Sequence, residues 1–132
     1  MKQSAILYFE SDAFVDAAGS DKATNPGIFG EALAHWLSQQ LVAEGSQPGV
    51  IIPEDFGWCV PLASRPYKLY VACSSVGASV AQWQVFVFAE GSLFARLRGK
   101  DQSTLIVADI FTALKRLLQQ SSQVRALREE AT

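Results

Sequence analysis

Two groups of acids fall where their spacing invites a chemical reading. Glu10, Asp12, Asp16 and Asp21 lie in or beside the stretch "ESDAFVDAAGSD", and Glu54 and Asp55 open "PEDFGWCVPL". Paired carboxylates carry out the acid/base work of glycosidases, and oxygen clusters hold hard cations. A convergence of Glu10 and Asp12 with Glu54 and Asp55 would make a polar site beside the 11–25 segment and Trp58. The spacing matches no EF-hand loop or other defined ligand set, and a solvated acidic surface accounts for the same residues more simply.

Other chemistry is thinly represented. His35 is the only histidine, so any Ser-His or Cys-His unit has to use it. No GxSxG elbow, phosphate-binding GxxxxGK[ST] loop or GxGxxG turn occurs. Cys59 and Cys73 are the only cysteines and stand in no CxxC or Cys/His cluster. The sequence assigns no catalytic residue, no metal ligand and no cofactor.

The elements that position these residues are legible from punctuation and periodicity. Residues 4–10 read as a first strand, followed by a long polar loop with at most a helical turn at 12–18. "NPGIFGEALAHWLSQQLVAEG" (25–45) predicts a helix. Asn25 suits its cap, Pro26 its first position and Gly45 its exit. Phe29, Leu33, Trp36, Leu37 and Leu41 share one face, with His35 roughly opposite. Three alternating runs follow. They are Phe56-Trp58-Val60-Leu62, Tyr67-Leu69-Val71-Cys73 and Trp83-Val85-Val87-Ala89. Residues 49–52 and 92–98 are candidates for two further short strands. Residues 101–120 predict a second helix, capped by Asp101 or Ser103, with a stripe of Ile106, Ile110, Ala113, Leu114 and Leu117.

The expected fold is therefore a single α+β domain over residues 1–120. It has an antiparallel sheet of four to six strands, two helices on one face, and the order β-α-β(3–5)-α. This order resembles that of TATA-binding-protein-like folds, a likeness of topology alone. Residues 121–132 read as a helix extension or a tail.

If "ASRP" turns the chain, Leu62 pairs with Tyr67, Val60 with Leu69, Trp58 with Val71 and Phe56 with Cys73. Both apolar sets then face the helices. Cys59 falls on the other side of the sheet, so a disulfide with Cys73 is not expected. Tyr70, Phe86 and Phe88 also fall there, on a face that should be polar if water covers it. A partly aromatic face of this kind marks an interaction surface covered by the tail, a second copy or a partner.

Composition narrows the partners. The chain has 132 residues, 49% of them hydrophobic and 18% charged, with a net charge of −2. The charged share is below the usual quarter. No basic footprint for nucleic acid is present. No apolar run is long enough to span a membrane, and no signal peptide is recognisable at the start. A cytoplasmic location is the expectation.

"PEDFGWCV", set after a helix and before the "YKLYVAC" and "WQVFVF" strands, resembles small uncharacterised bacterial proteins. In these, an acid-Phe/Trp-Gly-Trp step leads into an antiparallel sheet. The likeness covers about residues 25–118. It implies a small accessory protein, such as an immunity-type inhibitor or adaptor, and transfers no functional residue. Three readings follow. The first is a non-enzymatic protein binder, using the aromatic sheet face or the acidic loop against a protein partner or a second copy. The second is a small-molecule binder or enzyme with a pocket near the 11–25 loop and Glu54/Asp55. The third is a purely structural homodimer.

Overall fold

A computed structural model describes residues 2–64, 67–90 and 103–131. Among these the strands are β1 (Lys2–Gln3), β2 (Ile6–Glu10), β3 (Ile52–Glu54), β4 (Gly57–Ser64), β5 (Tyr67–Ser75), β6 (Gln82–Glu90) and β7 (Arg125–Glu130). The helices are α1 (Glu31–Ala43) and α2 (Ser103–Gln120), with one 3-10 turn at Ser20–Lys22. The strands form one antiparallel sheet in the order β3-β4-β5-β6-β2-β7, and β1 also pairs with β6. This is the expected α+β class, with the helices in the expected order and four described strands between them. No helix among the described residues is long and apolar enough to cross a membrane.

β1 and β2 are two halves of one strand. Gln3 pairs with Phe88 and Leu7 with Val85, so three residues on this strand oppose two on β6. That count defines a bulge. Ser4 repairs the ladder there. Its N–H donates to Val87 O at 2.8 Å, and its hydroxyl oxygen accepts from the Val87 N–H at 2.9 Å.

The core lies between the sheet and the helices. Leu7, Trp58, Val60, Val71, Val85 and Val87 supply its floor, and Leu33, Leu37, Leu41, Leu114 and Leu118 its roof. Strand alternation puts every second side chain into this layer. The α2 stripe is centred on Val107, Leu114 and Leu118, with Ile106, Ile110 and Leu117 packed along its margin.

Four local expectations are corrected. First, α1 begins at Glu31 rather than at Asn25. Its opening amides are satisfied by Asp16, reaching back from the loop. The Asp16 carboxylate accepts from the N–H groups of Gly30 at 2.9 Å, Glu31 at 3.1 Å and Ala32 at 2.9 Å. Asn25 instead ties the loop to the β3–β4 hairpin, donating from Nδ2 to Asp55 O at 2.7 Å. Gly45 does provide the left-handed exit, with φ 91°.

Second, β4 and β5 pair two residues away from the expected register. Trp58 meets Cys73, Val60 meets Val71, Leu62 meets Leu69 and Ser64 meets Tyr67. β4 runs two residues further than expected, to Ser64, and Arg65 and Pro66 lie outside the described residues. A slip of two keeps every side chain on its face, so the apolar pattern does not discriminate between the registers.

Third, Phe56 is not core. Asp55 and Phe56 form a two-residue turn between paired Glu54 and Gly57, and Phe56 is 43% exposed. Gly57 has φ 154°. A Cβ there would collide with Cys73 O and sit 2.6 Å from Ser74 Cβ. The alternation therefore begins at Trp58, beyond a position only glycine fits.

Fourth, the chain after Gln120 does not continue the helix. Residues 125–130 form β7, pairing with β2 on its outer edge. The short strand expected at 49–52 is shifted to Ile52–Glu54. The one expected at 92–98, and the Asp101 cap, lie outside the described residues.

Candidate functional site

The helices occupy one side of the sheet. On the other side the described residues form rows across the strands. One row holds Ile52, Cys59, Ala72 and Phe86. The next holds Pro61, Tyr70, Phe88 and Gln3. A third runs Ser74, Gln84, Tyr8 and Arg128. Tyr70, Phe86 and Phe88 thus lie on the face where the period of two places them.

The rings touch in sequence. Phe56 reaches over to Phe86 with 6.2 Å between centroids, Phe86 meets Phe88 at 6.1 Å, and Tyr70 stacks on Phe88 at 4.9 Å and 20°. These separations are those of attractive aromatic pairs. Tyr70, Phe86 and Phe88 are half-buried. Cys59 lies beneath them, 1% exposed. Burial, assisted by Glu54, pushes its thiol up to about 12. Tyr70 is raised by desolvation first, and then by Glu90, Cys59 and Glu54. Among the described residues the charges stand at the rim of this apolar centre. Glu54 stands on one side, Arg128 on the other, and Lys68 pairs with Glu90 at one end. Arg128 lies over the Tyr8 ring, 4.4 Å from its centroid, and bonds to Glu130.

The acids do not converge. Glu10 on β2 and Glu54 on β3 are four strand positions apart in the sheet, which is ~19 Å at normal spacing. That is too far for an acid/base pair. Asp12 forms an exposed ion pair with Arg125 at 3.2 Å. Glu54 and Asp55 are exposed at the β3–β4 hairpin. Asp16 is committed to α1, and Asp21 accepts from the Gly27 N–H at 2.8 Å. Asp16 and Asp21 hold the loop in shape, a role composition alone did not reveal. Among the described residues no group of three or more His, Cys, Asp or Glu is placed to hold a metal.

His35 is exposed on α1. Cys73 is buried in the core, its thiol raised well above the usual range by desolvation first and then by Cys59 and Asp16. Its Sγ contacts Gly30 O at 3.5 Å. Both cysteines are free, as the opposite-face reading requires.

Among the described residues three clefts open to solvent stand out. One of about 210 Å³ borders the aromatic face and is lined by Tyr8, Glu10, Gln82 and Arg128 among others. One of about 260 Å³ lies under the 11–16 loop, with Phe14, Phe29 and Trp83. One of about 320 Å³ lies between Gly45–Gln47 and α2. Neither Glu54 nor Asp55 lines any of the three.

No protein-family model, curated protein or solved structure matches the chain.

Proposed function

We propose that this chain is a non-enzymatic protein-binding or accessory module whose working surface is the open sheet face centred on Phe86 and Phe88. The observation that carries this reading is the Phe56–Phe86–Phe88–Tyr70 chain of rings on the side of the sheet away from both helices. An aromatic, charge-poor centre inside a charged rim is the anatomy of a protein–protein contact. Both cysteines favour the protonated state, which suits packing better than nucleophilic work. A cytoplasmic adaptor or immunity-type inhibitor is a form such a module would take.

The test compares the proteins retained from cell extract by the wild-type chain, by Phe86→Asp and by Asp55→Asn. Phe86 sits at the centre of the face, while Asp55 is on the exposed hairpin. The aromatic-face reading requires retention to fall with Phe86→Asp and persist with Asp55→Asn. The reverse pattern would move the contact to the acidic hairpin. Retention unaffected by either change would remove this reading.

A further inference from the structure

We infer that the occupant of the aromatic face is a second copy of this chain. Its two-fold axis would run parallel to the strands, along the seam between β5 and β6. The inference rests on the protein-contact reading above and names the partner.

Two copies related by a two-fold axis must present one surface that complements itself. When two sheets stack face to face about an axis parallel to their strands, each row is laid over the same row of the partner, reversed left to right. The strand order β3-β4-β5-β6-β2-β7 then sets β5 over the partner's β6, β4 over its β2 and β3 over its β7.

The side chains satisfy that reversal at several levels. Lys68 and Glu90 are level across β5 and β6, so Lys68 meets the partner's Glu90 and Glu90 meets the partner's Lys68. Tyr70 and Phe88 are level, so ring meets ring. Ala72 is level with Phe86 but fully buried, so Phe86 is the side chain of that central pair that faces the partner. Ser74 is level with Gln84, buried and already bonded to it at 2.8 Å, so Gln84 is the side chain of that pair that faces the partner. At the margins, Glu54 pairs with Gly57, whose added Cβ would lie against Ser74. That puts Glu54 in the Ser74–Gln84–Tyr8–Arg128 row, opposite the partner's Arg128. Opposite charges thus meet at the end and on both flanks, with aromatic rings at the centre. A partner of single charge sign would leave half of these rim charges opposed by their own kind.

The area is of the right size. The sheet has six strand positions, and the rows extend from Lys68 to Ser74 along β5. The two rows nearer Ser74 span six positions and those at Tyr70 and Lys68 four and three, so at ~4.8 Å per strand and ~3.4 Å per residue the face measures roughly 600 Å². A standard interface takes ~800 Å² from each partner. The sheet edges offer less to a second chain. β3 is three residues long and contains Pro53, while β7 carries Arg125, Arg128, Glu129 and Glu130. Short, proline-bearing and charged edges resist strand addition, which leaves the face.

Sedimentation equilibrium of the full chain over micromolar concentrations tests the inference. The expected mass is twice that of one chain, and Phe86→Asp returns it to one with an unchanged far-UV spectrum. Lys68→Glu and Glu90→Lys each weaken self-association by roughly tenfold or more, because like charges then face each other. Mixed in equal amounts, those two variants pair with each other more tightly than either pairs with itself. In the mixed pair every reversed charge meets its opposite. The strain each substitution creates within its own sheet is the same in mixed and unmixed pairs, so this comparison isolates the contact between copies. A single-chain mass at all concentrations, a doubled mass unaffected by Phe86→Asp, or no preference on mixing would each overturn the inference. If the chain is single but retains a different protein through Phe86, the second copy falls and the protein-contact reading stands. If Phe86→Asp changes neither self-association nor retention, both fall.

Discussion

Trp58 is 5% exposed, and its Nε1 is buried with no hydrogen-bond partner among the described residues. Its ring stabilises the core while its N–H costs about 1–3 kcal/mol. Trp58→Ala is expected to lower stability by ~3–5 kcal/mol through lost packing. Trp58→Phe should cost far less, since it removes the unpaired donor along with part of the ring. Urea titrations of the two variants measure the difference. Asp55→Ala should stay within about 0.5 kcal/mol of wild type, since its side chain is exposed and only its carbonyl is used. The thiols make a second prediction at this scale. Cys59 titrates near 9 when unfolded and is pushed up to about 12 in the fold. Above pH 9 the unfolded chain releases a proton that the folded chain retains, so stability is full below that pH. It then declines by about 1.4 kcal/mol per pH unit toward pH 12, from this group alone. Urea midpoints at pH 8 and pH 10.5 should show the drop, and Cys59→Ala should reduce it while leaving the share that buried Cys73 contributes. A thiol reagent at pH 8 should label neither cysteine until the chain unfolds.

At the scale of elements, the N-terminus of α1 shows how distance in sequence hides a cap. Asn25 and Pro26 form a plausible start signal, yet the residue that satisfies the helix lies earlier and outside it. Asp16→Ala strands three amides and should cost about 1–2 kcal/mol. Hydrogen exchange should quicken selectively at Gly30, Glu31 and Ala32. The aromatic face was legible because alternation in β5 and β6 is regular and long. Cys59 was placed correctly for the same reason. The β4–β5 register was not legible, because a slip of two leaves the faces unchanged and only the turn distinguishes the alternatives. Phe56 was misplaced because the pattern treats Gly57 as one more strand residue, whereas it abuts the Phe56 turn. β7 escaped notice because "RALREE" lacks the apolar alternation of a buried strand. It is an edge strand, and only Leu127 packs toward the core. The candidate site was therefore readable where side chains alternate, and unreadable where backbone geometry decided the outcome.

For the whole molecule, β7 closes the sheet beside β2. Ion pairs reinforce it from both helix and loop, with Lys115 to Glu129 at 2.8 Å and Arg125 to Asp12 at 3.2 Å. Exposed pairs of this kind contribute little singly, so pairing and the Val124 and Leu127 contacts carry the attachment. Ending the chain after Gln120 is expected to uncover the outer edge of β2 and to raise light scattering on heating, because an uncovered edge invites strand pairing between molecules.

The Asp16 cap and the β2–β7 pairing also differ in how soon the chain can make them. Asp16 lies 14 to 16 residues from the amides it holds, whereas Asp12 and Arg125 are 113 apart. Closing the shorter loop costs less entropy, by ~2 kcal/mol on a logarithmic scale. The capped loop and α1 can therefore organise before the sheet is sealed at its outer strand. In a chevron experiment, Asp16→Ala should act mainly by slowing refolding, whereas Leu127→Ala should act mainly by speeding unfolding.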